Sequence, residues 1–423
     1  MSPGNMALAI FIACYVLFIF LPNRRSIVAV AGAIVLLLVG AISPVQAVAA
    51  INWNVMGIFV GTLIIADIFM ESRVPSFLAE LIVGKAKSTA WAILFICALT
   101  GFISAFVENV ATVLIVAPIA LALAKKIRIN PVNMIIAIAI SSNLQGAATL
   151  IGDPPSMLLG GFAKMTFDDF FFYKGRPSIF FAVEIGALAS FFVLYFVFRK
   201  FKDKAPIVPI EKVKSWVPTI VLVALIVALA LSSFFDPGFS YMAGLICMAF
   251  AIVSIAWDRV TNKNPMIEGI KSLDWDTTFF LMGIFVLVGG ITATGWIDVI
   301  AGHLSSLIGD NVLFGFVLIV AMSVALSAFI DNVPFLAAML PVAIPMSHRL
   351  AIQPEVFLFG LLVGASLGGN ITPIGASANI VACGMLRKEG HAIRFMDFVK
   401  IGLPFTLAAV AAASVFVWLV WAR

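Results

Sequence analysis

Long apolar stretches alternate with short polar stretches along almost the whole chain. Their lengths suit helices that cross a hydrocarbon core, which takes about 17–25 apolar residues. The pattern predicts an all-α, polytopic membrane protein without a separate soluble domain. The apolar stretches fall near residues 6–21, 26–42, 51–70, 90–107, 110–124, 133–163, 178–198, 216–232, 238–257, 275–293, 312–330, 333–347, 355–386 and 402–422.

Two pairs of stretches are separated by only two residues, near 90–124 and near 312–347. Such close spacing predicts two re-entrant hairpins, in addition to ten full transmembrane helices. In each hairpin the interruption forms the tip, and it consists of an acid followed by an asparagine: Glu108-Asn109 and Asp331-Asn332.

Helix breakers interrupt two further apolar stretches, near 133–163 and near 355–386. Proline removes a backbone donor and clashes with the preceding turn, so each stretch is predicted to be a broken helix. In a bilayer the freed backbone groups need protein, water or a ligand as partners. An unwound segment at membrane depth therefore supplies carbonyl and amide groups to a binding site.

An internal repeat relates the two halves of the chain. Residues 1–198 form the first repeat, 199–214 a charged cytoplasmic linker, and 215–423 the second repeat. Five predicted crossings separate equivalent positions, and because five is odd the repeats are predicted to be inverted, a feature of secondary transporters. Identical residues recur 223 positions apart: Ser104/Ser327, Asn109/Asn332, Gly146/Gly369, Thr149/Thr372 and Gly152/Gly375.

Charge is scarce: 63% of the residues are hydrophobic and 11% are charged, with a net charge of +5. When both termini are placed outside, 21 of the 26 lysines and arginines fall in cytoplasmic loops, as the positive-inside rule requires. We therefore expect an inner-membrane protein whose first hairpin enters from the cytoplasm. No folded basic face for nucleic acid is visible.

Carboxylates inside a membrane are costly and usually functional. We predict that Glu108 and Asp331 form a central site that binds a proton, or Na⁺ together with Asn109 and Asn332; the alternative is a structural, hydrogen-bonded acid. Asp153 either binds a cation or caps the half-helix that follows it. The remaining candidate ligands are neutral: Asn143, Gly146, Thr149, Gly152, Gly369, Asn370, Thr372, Gly375, Ser377 and Asn379.

Enzymatic signatures are not found in the sequence. It contains no phosphate loop, nucleophile elbow or HExxH motif. Its three histidines are scattered, and its four cysteines, which lie far apart in apolar stretches, are interpreted as packing residues. We expect no enzyme and no cofactor beyond a bound Na⁺ or H⁺. The sequence leaves open whether the protein works with an associated ATPase.

The strings SAFVENVAT, SAFIDNVPF, GAATLIGDPPSMLL and GGNITPIGASANIV resemble the tips and broken helices of the ion transporter superfamily. Within it the chain is similar to arsenite efflux permeases, NhaD-type Na⁺/H⁺ antiporters and the P protein, which carry a citrate-transporter-like domain. The resemblance covers nearly the whole chain. It implies a homodimer in which a mobile domain, holding hairpins and broken helices, moves by elevator-type alternating access.

The expected function is secondary active transport that exchanges H⁺ or Na⁺ for a small inorganic solute. Arsenite or antimonite efflux and Na⁺/H⁺ antiport are its two main versions. The alternative is a cation-coupled citrate or dicarboxylate symporter. Related carriers of that kind have Ser-Asn-Thr at both tips, whereas this chain has Glu108-Asn109-Val110 and Asp331-Asn332-Val333. A missing cationic side chain at the tips also disfavours it. A passive channel is a further alternative.

Overall fold

The structure is a computed structural model that describes residues 2–204, 212–262 and 273–422. The described chain is helical except for a small antiparallel sheet, in which β1 (Phe172–Tyr173) pairs with β2 (Arg176–Pro177). The predicted all-α membrane class is confirmed. The helices are α1 Pro3–Phe20, α2 Arg25–Leu38, α3 Pro44–Ala50, α4 Trp53–Glu71, α5 Val74–Lys85, α6 Thr89–Ser104, α7 Asn109–Ile127, α8 Val132–Gly146, α9 Pro154–Ala163, α10 Ile179–Phe198, α11 Val217–Phe235, α12 Met242–Asn262, α13 Trp275–Ala293, α14 Trp296–Ile308, α15 Val312–Ser327, α16 Asn332–Arg349, α17 Pro354–Gly368, α18 Ser377–Lys388 and α19 Phe395–Trp421.

Nine of the described helices are long and apolar enough to cross a membrane, and ten if α14 and α15 count as one bent span. These nine include α7, which the sequence assigned to a hairpin, so the division into ten crossings and two hairpins stays a prediction. The predicted linker 199–214 lies partly outside the described residues, which omit 205–211.

Three helices, α3, α5 and α14, were absent from the apolar pattern. They are only 7, 12 and 13 residues long, too short to register as apolar crossings. Helix α14 meets α15 at an angle of 119°. Both α5 and α14 follow a residue with left-handed backbone, Arg73 at φ 61° and Gly295 at φ 78°. The chain turns sharply there, which ends the preceding long helix.

The core of the protein lies around the two broken helices. Within the apolar window of α17, 89% of the residues are buried in the protein, compared with 28% for α11. Helix α8 is likewise buried from Met134 to Leu144 along nearly its whole length. Outer helices instead carry exposed apolar side chains such as Phe196 and Phe234, as a lipid-facing surface requires.

The two predicted hairpins are built alike. The hydroxyl of Ser88 caps α6 by accepting a hydrogen bond from the amide of Trp91, three residues later. The side chain of Asn311 caps α15 in the same way, accepting from the amide of Phe314. Helices α6 and α15 then span 16 residues each, and α7 and α16 begin five residues after their ends. The prolines at 118 and 341 lie inside α7 and α16. The repeated sequence strings are therefore accompanied by matching helix lengths, while the inverted repeat of the two halves stays a prediction.

Candidate functional site

Each hairpin tip carries its acid at the N-cap of the second helix. A carboxylate oxygen of Glu108 accepts from the Ala111 amide at 2.9 Å. Asp331 accepts from the Val333 amide at 3.0 Å. Both acids therefore stabilise the start of a helix, which is one reason for a carboxylate to interrupt an apolar segment. A cap requires only an oxygen acceptor, however, and amide or hydroxyl side chains supply one without a charge.

Two threonines of the broken helices form hydrogen bonds with the hairpin tips. The hydroxyl of Thr149 donates to the carbonyl of Ala105, and that of Thr372 donates to the carbonyl of Ala328. The four residues are buried. Because both contacts join residues 44 positions apart, the same attachment occurs once in each half of the chain.

Two glycines allow the tips to lie directly against the breaks. A Cβ atom at Gly152 would lie 2.5 Å from the Gly146 carbonyl oxygen and 2.9 Å from that of Ala105. At Gly375 it would lie 2.5 Å from the Gly369 oxygen and 2.9 Å from the Ala328 oxygen. A side chain at either position would push the tip away from the broken helix.

An amide network joins the two broken helices. The amide nitrogen of Asn143 donates to Asn370 at 2.9 Å and to Asn379 at 2.8 Å. Asn379 in turn donates to the carbonyls of Gly369 and Thr372, both at 2.9 Å. These bonds satisfy carbonyl groups that the break in the second helix frees. The sequence predicted these residues for the site. The structure brings them together, with Asn143 lining the site and Asn370 and Asn379 behind it.

The half-helices α9 and α18 begin with matching backbones but different side chains. Asp153 precedes α9 with φ −155° and ψ 152°, and Ala376 precedes α18 with φ −149° and ψ 149°. Of the two alternatives for Asp153, capping of α9 is wrong, since its side chain makes no capping bond. Its carboxylate instead lies close to the amide of Asn109 and shares the cavity wall with Glu108 and Asp331. Cation binding by Asp153 stays a prediction.

Hydrogen bonds fix the position of Asn109 at the first tip. Its side-chain oxygen accepts from Ser104 at 2.5 Å, and its backbone carbonyl accepts from Ser142 at 3.1 Å. With the oxygen engaged, its amide hydrogens are available to the carboxylate of Asp153. Side chains from α6 and α8 thus orient the amide of this α7 residue toward the break.

A central cavity of about 240 Å³ lies between the tips and the half-helices. Of the predicted site residues, those on its wall are Glu108, Asn109, Asn143, Asp153, Asp331, Asn332 and Ser377. The other predicted residues build the breaks and attachments around it: Gly146, Thr149, Gly152, Gly369, Asn370, Thr372, Gly375 and Asn379.

Four polar residues on the cavity wall were missed in the sequence: Arg25, Asp67, Asp274 and Thr277. Three of them lie within three residues of a helix terminus, where polar residues are usual. Asp67 could have been recognised, because it interrupts the apolar run of α4 four residues before its end. Its side chain is exposed toward the cavity.

Arg25 contradicts the expectation that no cationic side chain accompanies the tips. Its guanidinium forms an ion pair with Asp331 and donates to the hydroxyl of Thr277 at 2.9 Å. It also lies 3.4 Å from Asp276 and stacks over the ring of Phe280. The sequence placed Arg25 in a basic loop, where the positive-inside rule explained its charge. Its side chain is only 16% exposed.

Within the described ranges, no group of three or more His, Cys, Asp and Glu side chains is placed to hold a metal ion. The sodium site suggested for Glu108, Asn109, Asp331 and Asn332 would therefore need amide or carbonyl oxygens as its main ligands, as unwound helices provide. The two acids also differ in their surroundings, since Asp331 is paired with Arg25 while Glu108 shares the cavity wall with Asp153 and Asp274.

Comparison with known proteins identifies the family. The sequence model described as "Citrate transporter" matches residues 15–351 and 242–423. The chain belongs to the citrate transporter family. This member is 29% identical over 425 residues to an uncharacterized transporter of Mycobacterium tuberculosis, with 98% of each chain covered. It is 25% identical to the P protein of Mus musculus, covering 95% of this chain and 58% of that protein.

Solved structures support the fold of this family member. It is similar to the Alcanivorax borkumensis YdaH transporter, with a TM-score of 0.62, 15% identity, and 88% and 87% of the two chains covered. For Neisseria gonorrhoeae MtrF the TM-score is 0.56 at 16% identity, with 87% and 82% covered. The resemblance to the P protein group is confirmed, and the chain is a membrane transporter rather than an enzyme.

Proposed function

We propose that this protein is a secondary active transporter driven by H⁺ or Na⁺, with the coupling cation bound at the first tip. The observation that carries this proposal is the cluster of Glu108, Asn109 and Asp153, in which two acids lie together on the cavity wall. Like charges at close range and low dielectric favour occupation by a cation. The capping bond of Glu108 uses one oxygen of its carboxylate, and this carboxylate lies on the same cavity wall as Asp153.

The exchanged solute is proposed to be small and inorganic, with arsenite or antimonite efflux and Na⁺/H⁺ exchange as the two versions. At neutral pH arsenite is mostly uncharged As(OH)₃, whose hydroxyls the amides and carboxylates of the cavity wall can hydrogen-bond. No thiol is needed for such binding. The four cysteines are buried within the described fold, and none of them lines the central cavity.

A citrate or dicarboxylate symporter is the second candidate, and one observation favours it. Arg25 supplies on the cavity wall the cationic group that such a substrate needs, and guanidinium binds carboxylates with two parallel hydrogen bonds. Its present pairing with Asp331 and Asp276 means that a carboxylate substrate would have to displace these partners. The inorganic solute is therefore the leading candidate.

The family resemblance leads us to propose the remaining features together. The transporter would be an inner-membrane homodimer with both termini outside, and it would work by elevator-type alternating access, with or without an associated ATPase. The attachments of Thr149 and Thr372 support a mobile unit, because they tie each tip to the broken helix that would move with it.

Everted membrane vesicles test the proposal. After the lumen has been acidified, dequenching of a pH-sensitive dye reports proton efflux when arsenite, antimonite, Na⁺, Li⁺ or citrate is added. Dequenching by Na⁺ or Li⁺ establishes cation antiport, and dequenching by arsenite or antimonite alone establishes metalloid efflux. Citrate uptake accompanied by protons or Na⁺ would favour the second candidate. Downhill flux of a solute without any cation movement would show a channel and contradict the proposal.

A further inference from the structure

The internal repeat supplies two acidic tips, yet their electrostatic environments differ. Glu108 lies near Asp153 and Asp274, so the first tip carries an excess of negative charge. At the second tip the position equivalent to Asp153 is Ala376, and Asp331 is paired with Arg25. Among the described residues that line the central cavity, Arg25 is the only Lys, Arg or His.

We propose that the guanidinium of Arg25 is a tethered cation that fills the second of two repeat-related cation sites. Only the first tip, at Glu108, then binds a mobile cation, and one site per chain is available for coupling. The inference rests on the proposed function in treating the tips as cation sites. It goes further by stating that one of the two cation sites is available to a mobile ion and that the side chain of Arg25 occupies the other.

The partners of the guanidinium are those that a small cation would use. They are the carboxylates of Asp331 and Asp276 and the hydroxyl of Thr277. Oxygen ligands of this kind suit hard cations such as Na⁺. Arginine stays charged throughout the physiological range, so it cannot vacate the position by losing its proton. The ring of Phe280, 5.1 Å below the guanidinium carbon, further holds the cation in place.

The position of Arg25 also changes the charge balance around the second acid, because its guanidinium is paired with Asp331. Asp331 lies within electrostatic range of Asp153. A fixed positive charge beside it offsets the repulsion that two nearby carboxylates would otherwise produce. The chain therefore keeps the duplicated tip, with its helix cap, while using only one tip for the mobile ion.

Equilibrium binding of radioactive Na⁺ to the purified full chain tests this assignment. Arg25→Gln is expected to bind one more Na⁺ per chain than the unmodified protein, because the three oxygen partners become free. Arg25→Lys keeps the charge and is expected to bind the same number as the unmodified protein. Adding Asp331→Asn to Arg25→Gln should remove the additional ion. Equal numbers of bound Na⁺ in Arg25→Gln and the unmodified protein overturn the proposal.

A second variant separates loss of charge from loss of folding. Arg25→Cys can be labelled with an aminoethyl methanethiosulfonate, which restores a positive charge in the same folded sample, since the four native cysteines are buried. The additional Na⁺ should bind before labelling and be lost after it; binding that persists after complete labelling contradicts the proposal. If the unmodified protein binds no Na⁺ and Arg25→Gln binds one, sodium coupling fails while the role of Arg25 stands.

Discussion

Asn143 in α8 donates a hydrogen bond of 2.9 Å to Asn370, which lies in the break of the second repeat. The same amide donates to Asn379 at 2.8 Å. All three side chains are buried. One side chain from the first half of the protein therefore holds two residues of the second half, and the two broken helices are fixed relative to each other at the back of the cavity.

Asn143→Ala should destabilise the protein by about 1–3 kcal/mol, because two buried amide oxygens lose their donor. Transport should fall as well, since the cavity wall loses its connection between the halves. Thermal unfolding in detergent and transport by reconstituted protein measure the two effects. Asn133→Ala, at an exposed position of the same helix, is the matched control. If Asn143→Ala unfolded like this control, the network would not hold the breaks together.

The double role of Glu108 can be divided by two substitutions. Glu108→Gln keeps an oxygen that can accept from the Ala111 amide, so its unfolding temperature should stay near that of the unmodified protein. Glu108→Ala loses the cap and should be less stable by about 0.5–2 kcal/mol. Differential scanning fluorimetry compares the two. Equal stability of the alanine and glutamine variants would show that the capping bond contributes nothing.

The close approach of tip and break predicts that one glycine does not tolerate alanine while another glycine does. Gly152→Ala places a methyl group 2.5 Å from a backbone oxygen and should abolish transport or folding. Gly384→Ala is the control, because it lies inside α18 with no atom within 4 Å of the added carbon. There alanine should stabilise the helix by about 0.5–1 kcal/mol. Normal transport by Gly152→Ala would disprove the proposed packing.

The inverted arrangement predicts opposite accessibility for two equivalent caps. Ser88 and Asn311 each cap the first helix of a hairpin and are 223 residues apart. A cysteine at Ser88 should react with a membrane-impermeant thiol reagent from the cytoplasm, and one at Asn311 from outside. The reagent is added to intact cells and to everted vesicles in parallel. Labelling of both positions from one side would rule out inversion.

Much of the fold could be predicted because membrane crossing and helix breaking leave local signals. The apolar runs, the repeat of Ser104 at Ser327, and the prolines and glycines of the breaks are visible in the sequence. The short helices α5 and α14 could not be predicted, because neither has the length or the apolar run of a crossing. Their direction is set by left-handed residues and by packing against the hairpins.

The site was predicted where polar residues interrupt an apolar run or lie beside a break, and it was missed at ordinary helix ends. Glu108 and Asp331 stood out because each interrupts an apolar run at an equivalent position. Arg25 gave no such signal, since a basic residue between two crossings is what the positive-inside rule leads one to expect. Its pairing with Asp331 joins residues 306 positions apart, and only the tertiary structure reveals it.

Proton movement by purified protein tests the central claim, that Glu108 binds the coupling cation, most directly. The unmodified protein and Glu108→Gln are reconstituted into liposomes that contain a pH-sensitive dye, and the solute identified in vesicles is added outside. For a solute that the unmodified protein exchanges for protons, the account predicts a solute-dependent change of internal pH with that protein and none with Glu108→Gln of equal stability. If Glu108→Gln changed the internal pH as fast as the unmodified protein, the first tip would not be the coupling site.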